Sequence, residues 1–123
     1  MTLYDGVPYD YAAVAPAGAV LFTAGACPLD VDGTVVAPGD HVGQAERAVD
    51  NLLLVLEANG AGPAHLVRTT IYVVGSREDL VAVWNVVSRR LAPHRPPSTL
   101  LGVAVLGYPD QLVEIDGIAA LPN

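Results

Sequence analysis

The sequence contains no lysine, and its basic side chains are six arginines set against thirteen aspartate and glutamate residues, for a net charge of −7. Without lysine, no internal Schiff base to pyridoxal phosphate or to a carbonyl substrate can form, and no P-loop lysine exists. The negative charge repels phosphates, and the chain has no stripe of basic residues. We therefore expect neither nucleic acid as a partner nor an enzyme of those two classes.

Cysteine is also scarce, because Cys27 is the only one. An internal disulfide is thereby excluded, which fits the cytoplasmic location that we expect. The longest uncharged stretch, residues 11–29, is interrupted by Pro16 and by glycines, and acidic residues precede it. These features argue against a membrane span and against a signal peptide, so no membrane partner is expected.

The length and the apolar content indicate one domain that associates with copies of itself. A chain of 123 residues is long enough for one core, and we expect a single domain over residues 1–123. Its hydrophobic content of 52% and mean hydropathy of +0.42 are high for a protein that must cover itself with polar surface. We expect another subunit to cover some of that apolar surface.

The hydrophobic periodicity predicts an α+β fold with a mixed sheet and both helices on one face. One helix extends from the N-cap Asp40 to Ala58, and a second begins at a capping box of Ser76 and Asp79 and ends before Pro93. Strands are predicted at residues 20–26, 66–74, 98–105 and 112–120, with shorter strands possible at 11–14 and 34–37. The sheet face without helices needs cover, which a partner subunit can provide.

Several blocks of the sequence together resemble one known family. They are VLFTAGACPLD, NLLLVLEANGAG, VRTTIYVV, the Pro-Ser-Thr strand and LVEIDGIAAL, and the match extends over residues 11–121. In order and spacing they are similar to the Rid family of reactive intermediate deaminases, also called YjgF. The resemblance implies a chorismate-mutase-like fold and a homotrimer with clefts between subunits. It also implies hydrolysis of imines or enamines without metal or cofactor.

The resemblance also suggests site residues. Glu114 matches the family carboxylate that positions the attacking water, Asp116 follows two residues later, and Tyr11 matches a tyrosine bordering the cleft. Ser98 occupies the position of the arginine that binds the substrate carboxylate in a bidentate ion pair. A neutral hydroxyl, with one donor, cannot replace the charged guanidinium. Trp84 replaces a frequent asparagine. We expect a pocket remodelled toward a less anionic, more hydrophobic ligand.

Three further residues are candidates for binding substrate. Arg95, three residues before Ser98, can serve as a substitute for the missing arginine, although an arginine beside two prolines is more often exposed. Backbone amides near Ser98 and Cys27, together with Thr99, are candidate contacts. For the Cys27 thiol itself, the role of a small buried hydrophobe is favoured over that of a nucleophile.

Each of the main candidates also has an ordinary structural interpretation. Glu114 can be a strand-end glutamate in water or paired with Arg68, Trp84 can be a core residue, and Tyr11 can anchor the N-terminal strand. The three histidines show no metal-ligand spacing with each other or with Cys27. No metal and no cofactor are expected.

Two functions from different classes follow. The first is a cofactor-free hydrolase of small imines or enamines, with Glu114 as the residue that positions water and Tyr11 and Ser98 as hydrogen-bonding groups. Its substrate range is expected to be shifted away from simple 2-imino acids, because Ser98 replaces the arginine. The second is a trimer that binds a small metabolite without converting it, as a sensor or carrier. A third possibility, RNA cleavage, is disfavoured by the charge of −7.

Overall fold

A computed structural model of the chain describes residues 1–122. Its elements are β1 (Val20–Phe22), α1 (His41–Ala58), a 3-10 turn (Pro63–His65), β2 (Leu66–Val73), α2 (Arg77–Leu91), β3 (Ser98–Gly102) and β4 (Val113–Ala120). The sheet order is β1-β4-β2-β3, in which β4 is antiparallel to both neighbours and β2 is parallel to β3. The predicted α+β fold with a mixed sheet is confirmed.

Both helices begin where their local capping residues predict. The Asp40 side chain accepts a hydrogen bond of 2.9 Å from the Gly43 amide and so caps α1. At α2, the Ser76 hydroxyl accepts from the Asp79 amide at 3.3 Å, and the Asp79 carboxylate accepts from the Ser76 amide at 2.8 Å. The helix after Asp40 ends at Asn59 and Gly60, and α2 ends before Pro93, as predicted.

The core lies between the two helices and one face of the sheet. Alternate residues of β2 and β4 point into it, including Ile71, Val73 and Ile115, and they contact Leu52 of α1 and Val83 of α2. The remaining residues of these strands point to the opposite face, which no helix covers. We call this face the open face, and its side chains are Phe22, Arg68, Thr70, Tyr72, Thr99, Glu114, Asp116 and Ile118.

Two strands end earlier than predicted. The strand predicted at 20–26 ends at Phe22. At the next residue the Thr23 hydroxyl, and not a backbone carbonyl, accepts the hydrogen bond of 2.9 Å from the Gly117 amide. The chain then returns to the sheet for a single bridge between Ala26 and Ile115. The strand predicted at 98–105 ends at Gly102, because β2 turns away after Val73.

The two short strands considered in the N-terminal third do not form. Residues 11–14 contain no strand. Residues 34–37 contribute one bridge, between Val35 and Leu29, after a turn at residues 30–33. The two C-terminal strands are not adjacent either, because β2 lies between β3 and β4. Neither helix of the described residues is long and apolar enough to cross a membrane.

Candidate functional site

The Glu114 carboxylate is held on the open face by two donors. Glu114 lies on β4 opposite Tyr72 and is half-buried. Its Oε1 atom accepts a hydrogen bond of 3.2 Å from the Cys27 thiol and another of 3.2 Å from the Gln111 side-chain amide. The donors come from the loop after β1 and from the residues just before β4, so they approach Oε1 from separate parts of the chain.

The other oxygen of Glu114 lies against the backbone of Gly25. A Cβ atom built on Gly25 would be 2.2 Å from Oε2 and 2.5 Å from the carboxyl carbon of Glu114, far inside contact distance. Only a residue without a side chain leaves room for the carboxylate in this position. The backbone of Gly25 therefore packs directly against Oε2 of Glu114.

The Cys27 thiol acts as a donor and keeps its proton. Burial, together with the hydrogen bond and the charge of Glu114, raises the pKa of Cys27 to about 11. At neutral pH the sulfur is therefore not a thiolate and is a poor nucleophile. This agrees with the expectation from sequence that Cys27 is no nucleophile, and it adds a contact that the sequence did not indicate.

A second carboxylate lies beside Glu114 on the same face. Asp116 accepts a hydrogen bond of 2.9 Å from the Tyr72 hydroxyl, and this bond is the main reason that the pKa of Tyr72 is raised. Tyr72 pairs with Glu114 and Thr70 pairs with Asp116 across the strands. Asp116 thus accepts one hydrogen bond, on Oδ2, whereas Glu114 accepts two, both on Oε1.

A separate cavity of about 430 Å³ lies where β3 begins, and we call it the aromatic pocket. Tyr9 and Trp84 meet edge to face with their ring centroids 6.2 Å apart. The Ser98 hydroxyl donates to the Pro96 carbonyl at 3.0 Å, and the Thr99 hydroxyl accepts from Arg68 at 2.6 Å. The lining residues are Pro8, Tyr9, Trp84, Ser98, Thr99 and Leu100.

Arg95 and Tyr11 lie together in another place, against the N-terminal segment. The Arg95 guanidinium donates to the carbonyls of Val7 and Tyr9, and the Tyr11 hydroxyl donates to the Tyr4 carbonyl at 2.5 Å. Both side chains line a second cavity and neither lines the aromatic pocket. In this chain Arg95 thus holds the segment before β1, and the Tyr11 hydroxyl is bonded within that same segment.

The predicted site residues accordingly form three groups within one chain. Ser98, Thr99 and Trp84 share the aromatic pocket, Glu114 lies with Cys27, and Arg95 lies near Tyr11. Sequence reasoning missed Gln111, which lies in the loop before β4, and Tyr9, which precedes every predicted strand. It also missed Gly25, although a glycine within a predicted strand was a signal that a side chain approaches closely.

The Glu114 cluster and the aromatic pocket do not meet within one subunit. Ser98 pairs with Thr69 on β2, whereas Glu114 pairs with Tyr72, three residues further along that strand. Ordinary strand spacings then separate the two backbones by roughly 14 Å. Among residues 1–122, no group of three His, Cys, Asp or Glu side chains could hold a metal ion.

The sequence model of the family described as Endoribonuclease L-PSP matches residues 6–121. Protein DfrA of Myxococcus xanthus is 37% identical over 112 residues, which cover 91% of this chain and 84% of that protein. The RutC family protein UK114 of Drosophila melanogaster is 33% identical over 91% of this chain and 78% of its own length. The chain belongs to the Rid/YjgF family.

Solved structures of Rid/YjgF proteins agree with this fold. The Rid family protein YyfB of Yersinia pestis superposes with a TM-score of 0.91 at 31% identity, over 98% of this chain and 93% of that one. The resemblance drawn from the sequence blocks and the fold expected from it are therefore confirmed. Whether Ser98 truly stands in the place of a substrate-binding arginine in this Rid/YjgF chain stays a prediction.

Proposed function

We propose that this protein is a cofactor-free hydrolase of small imines or enamines that works as a homotrimer, with each site in a cleft between two subunits. The observation that carries the proposal is the Glu114 carboxylate, which is half-buried, held by two donors on Oε1, and without a hydrogen bond from residues 1–122 on Oε2. A carboxylate with one unoccupied oxygen in a partly enclosed place can orient water and accept its proton.

The proposed reaction needs only water and Glu114. A water molecule held by Oε2 attacks the carbon of the C=N bond, and its proton passes to the carboxylate. The carbinolamine formed from the protonated imine takes that proton on nitrogen and the C–N bond breaks. As the carbonyl forms and ammonia leaves, the hydroxyl group releases its own proton to solvent, which replaces the proton that the imine took up. An enamine enters the same sequence after protonation at carbon. Glu114 ends in its starting state, so neither metal nor oxidant is consumed.

The distance between the two halves of the site supports an inter-subunit cleft. The Glu114 cluster offers a proton acceptor, and the aromatic pocket offers rings and hydroxyls but no carboxylate. Since they lie roughly 14 Å apart in one chain, a neighbouring copy must bring the second half. The open face also leaves Phe22 71% exposed, as expected for a surface that another subunit covers.

The aromatic pocket supports a substrate range away from simple 2-imino acids. Its hydrogen-bonding groups, Ser98 and Thr99, are neutral, and Trp84 and Tyr9 provide apolar walls. Arg95 is occupied by backbone carbonyls, and Arg68 contacts the pocket only through the Thr99 hydroxyl. Among the described residues that line this pocket, none is an arginine that could bind a substrate carboxylate through two hydrogen bonds. A flat or apolar substrate therefore fits the pocket better than a 2-imino acid does.

The test is a comparison of substrates and of two matched carboxylate variants. Ammonia and carbonyl product are measured with 2-iminobutanoate and with neutral aromatic imines and enamines, alongside the molar mass by light scattering. We expect a trimer, faster turnover of the neutral substrates, and at least a 100-fold loss in Glu114→Gln but not in Asp116→Asn. A thermal shift with these compounds but no product would instead favour the metabolite-binding trimer, and fast turnover of 2-iminobutanoate would contradict the interpretation of Ser98.

A further inference from the structure

We infer that Cys27 and Gln111 are positioning residues that lock the Glu114 carboxylate, committing Oε1 to the protein and leaving Oε2 for the ligand. The inference deepens the proposed function, and its catalytic consequence rests on that function. It assigns a role to a cysteine and a glutamine that lie 84 residues apart in sequence, as their residue numbers give.

The first step is the saturation of one carboxylate oxygen. A carboxylate oxygen offers two lone pairs, and Oε1 uses both, for the thiol at 3.2 Å and the Gln111 amide at 3.2 Å. Oε2 receives no hydrogen bond from residues 1–122 and lies over Gly25. The two oxygens of Glu114 are therefore made unequal by the protein itself.

The second step is that Gln111 cannot rotate away. Its side chain is 4% exposed, and its Oε1 accepts from the Tyr108 amide at 3.2 Å. Its Nε2 donates to the Val113 carbonyl at 3.2 Å as well as to Glu114. Because the backbone amide of Tyr108 can only donate, the orientation of the Gln111 amide is fixed with its nitrogen toward Glu114.

The third step is that α1 fixes the position of Cys27. The Asn51 side chain donates to the Cys27 carbonyl at 2.8 Å and to the Leu29 carbonyl at 3.0 Å. The loop that carries the thiol is thus attached to a helix of the core. The thiol keeps its proton for donation, because burial and Glu114 raise the pKa of Cys27 to about 11.

Together these contacts fix the orientation of the Glu114 carboxylate and thus the position of Oε2. Displacing a catalytic group by about 1 Å can reduce a rate on the order of 100-fold, so an orientation held by two donors matters for turnover. A glutamate without them would sample several rotamers. The expected effect of losing a donor is on the chemical step, with little effect on substrate binding.

The first experiment compares two substitutions that differ in one hydrogen bond. Cys27→Ala removes the donor, whereas Cys27→Ser keeps an O–H group in nearly the same place. With the preferred neutral enamine, we expect kcat to fall about tenfold in C27A with KM within twofold, and to recover to within about threefold of wild type in C27S. Equal loss in both variants, or no loss in C27A, would overturn the positioning role; thermal melts of both exclude misfolding as the cause.

The second experiment requires no activity. Alkylation of Cys27 by iodoacetamide at pH 8 is measured in wild type, Glu114→Gln and Asp116→Asn. Removing the charge of Glu114 should raise the thiolate fraction and speed alkylation about tenfold, while D116N stays within twofold. If E114Q leaves the rate unchanged, the contact and the inference are wrong even for an active hydrolase. If the rate responds but no substrate is hydrolysed, the contact stands and the proposed function is wrong.

Discussion

The Glu114 orientation can be tested most directly by adding one methyl group at Gly25. In Gly25→Ala the new Cβ atom would lie 2.2 Å from Oε2 and 2.5 Å from the carboxyl carbon. Carbon contacts are comfortable only at about 3.5–4.0 Å, so the carboxylate must move by more than about 1 Å. The backbone of Gly25 is outside the left-handed region, so alanine causes no strain there.

The stability of this variant should change little. Glu114 is half-buried, so water can replace the donors that it loses, and each hydrogen bond contributes about 1 kcal/mol net. Alanine also lowers the entropy of the unfolded chain, which stabilises by about 0.4–1 kcal/mol. We therefore expect a net change within about 1 kcal/mol, which corresponds to a melting temperature within roughly 5 °C of wild type.

The activity, in contrast, should fall on the order of 100-fold, because the reacting oxygen leaves its place. The assay is carbonyl release from the preferred neutral enamine, with kcat and KM determined separately. The control is the double variant Gly25→Ala with Glu114→Gln, in which the methyl group should have no further effect. A G25A protein with wild-type kcat and an unchanged melting curve would refute the placement of Oε2 over Gly25.

Three other predictions concern single side chains. Because the pKa of Cys27 is about 11, its iodoacetamide reaction should rise about tenfold per pH unit up to that value, and at pH 8 be about 100-fold slower than that of a thiol of pKa 9.0; a plateau by pH 9 would contradict this. Ser76→Ala removes the cap of α2 and should cost about 1 kcal/mol by calorimetry. Since the backbone and side chain of Ser76 lower the pKa of Asp79, the stabilisation from that carboxylate is complete above its unfolded pKa and is lost as pH falls through the lower folded value. Trp84→Ala should cost about 2 kcal/mol, less than for a fully buried tryptophan, and should weaken binding of aromatic ligands more than of aliphatic ones in calorimetric titrations.

The helices and the two long strands were predictable because their signals are local. Asp40 and Ser76 cap their helices through hydrogen bonds to residues three positions later. Buried and less buried residues alternate along β2 and β4 because one face of each strand packs against the core. Strand ends were less predictable, since they depend on the partner strand. The substitution of the Thr23 hydroxyl for a backbone carbonyl has no periodic signature in the sequence.

The site was predictable one residue at a time but not as a constellation. Glu114 and Ser98 were recognised from their sequence blocks, yet nothing in sequence indicated that Cys27 would donate to Glu114 across 87 residues. The same holds for Arg95, whose partners are carbonyls of the N-terminal segment. Such contacts are products of the tertiary fold, which brings loops of unrelated sequence together.

The protonated state of Cys27 has a consequence for the durability of a site that handles electrophiles. Carbon atoms of C=N bonds are attacked by thiolates as well as by water, and peroxides oxidise thiolates much faster than thiols. A sulfur 3.2 Å from the working carboxylate would be an immediate target for both reactions if it were ionised. In the hydrolase proposed above, the burial of that sulfur and the neighbouring Glu114, by keeping its proton in place, would protect the protein against self-inactivation by its substrates.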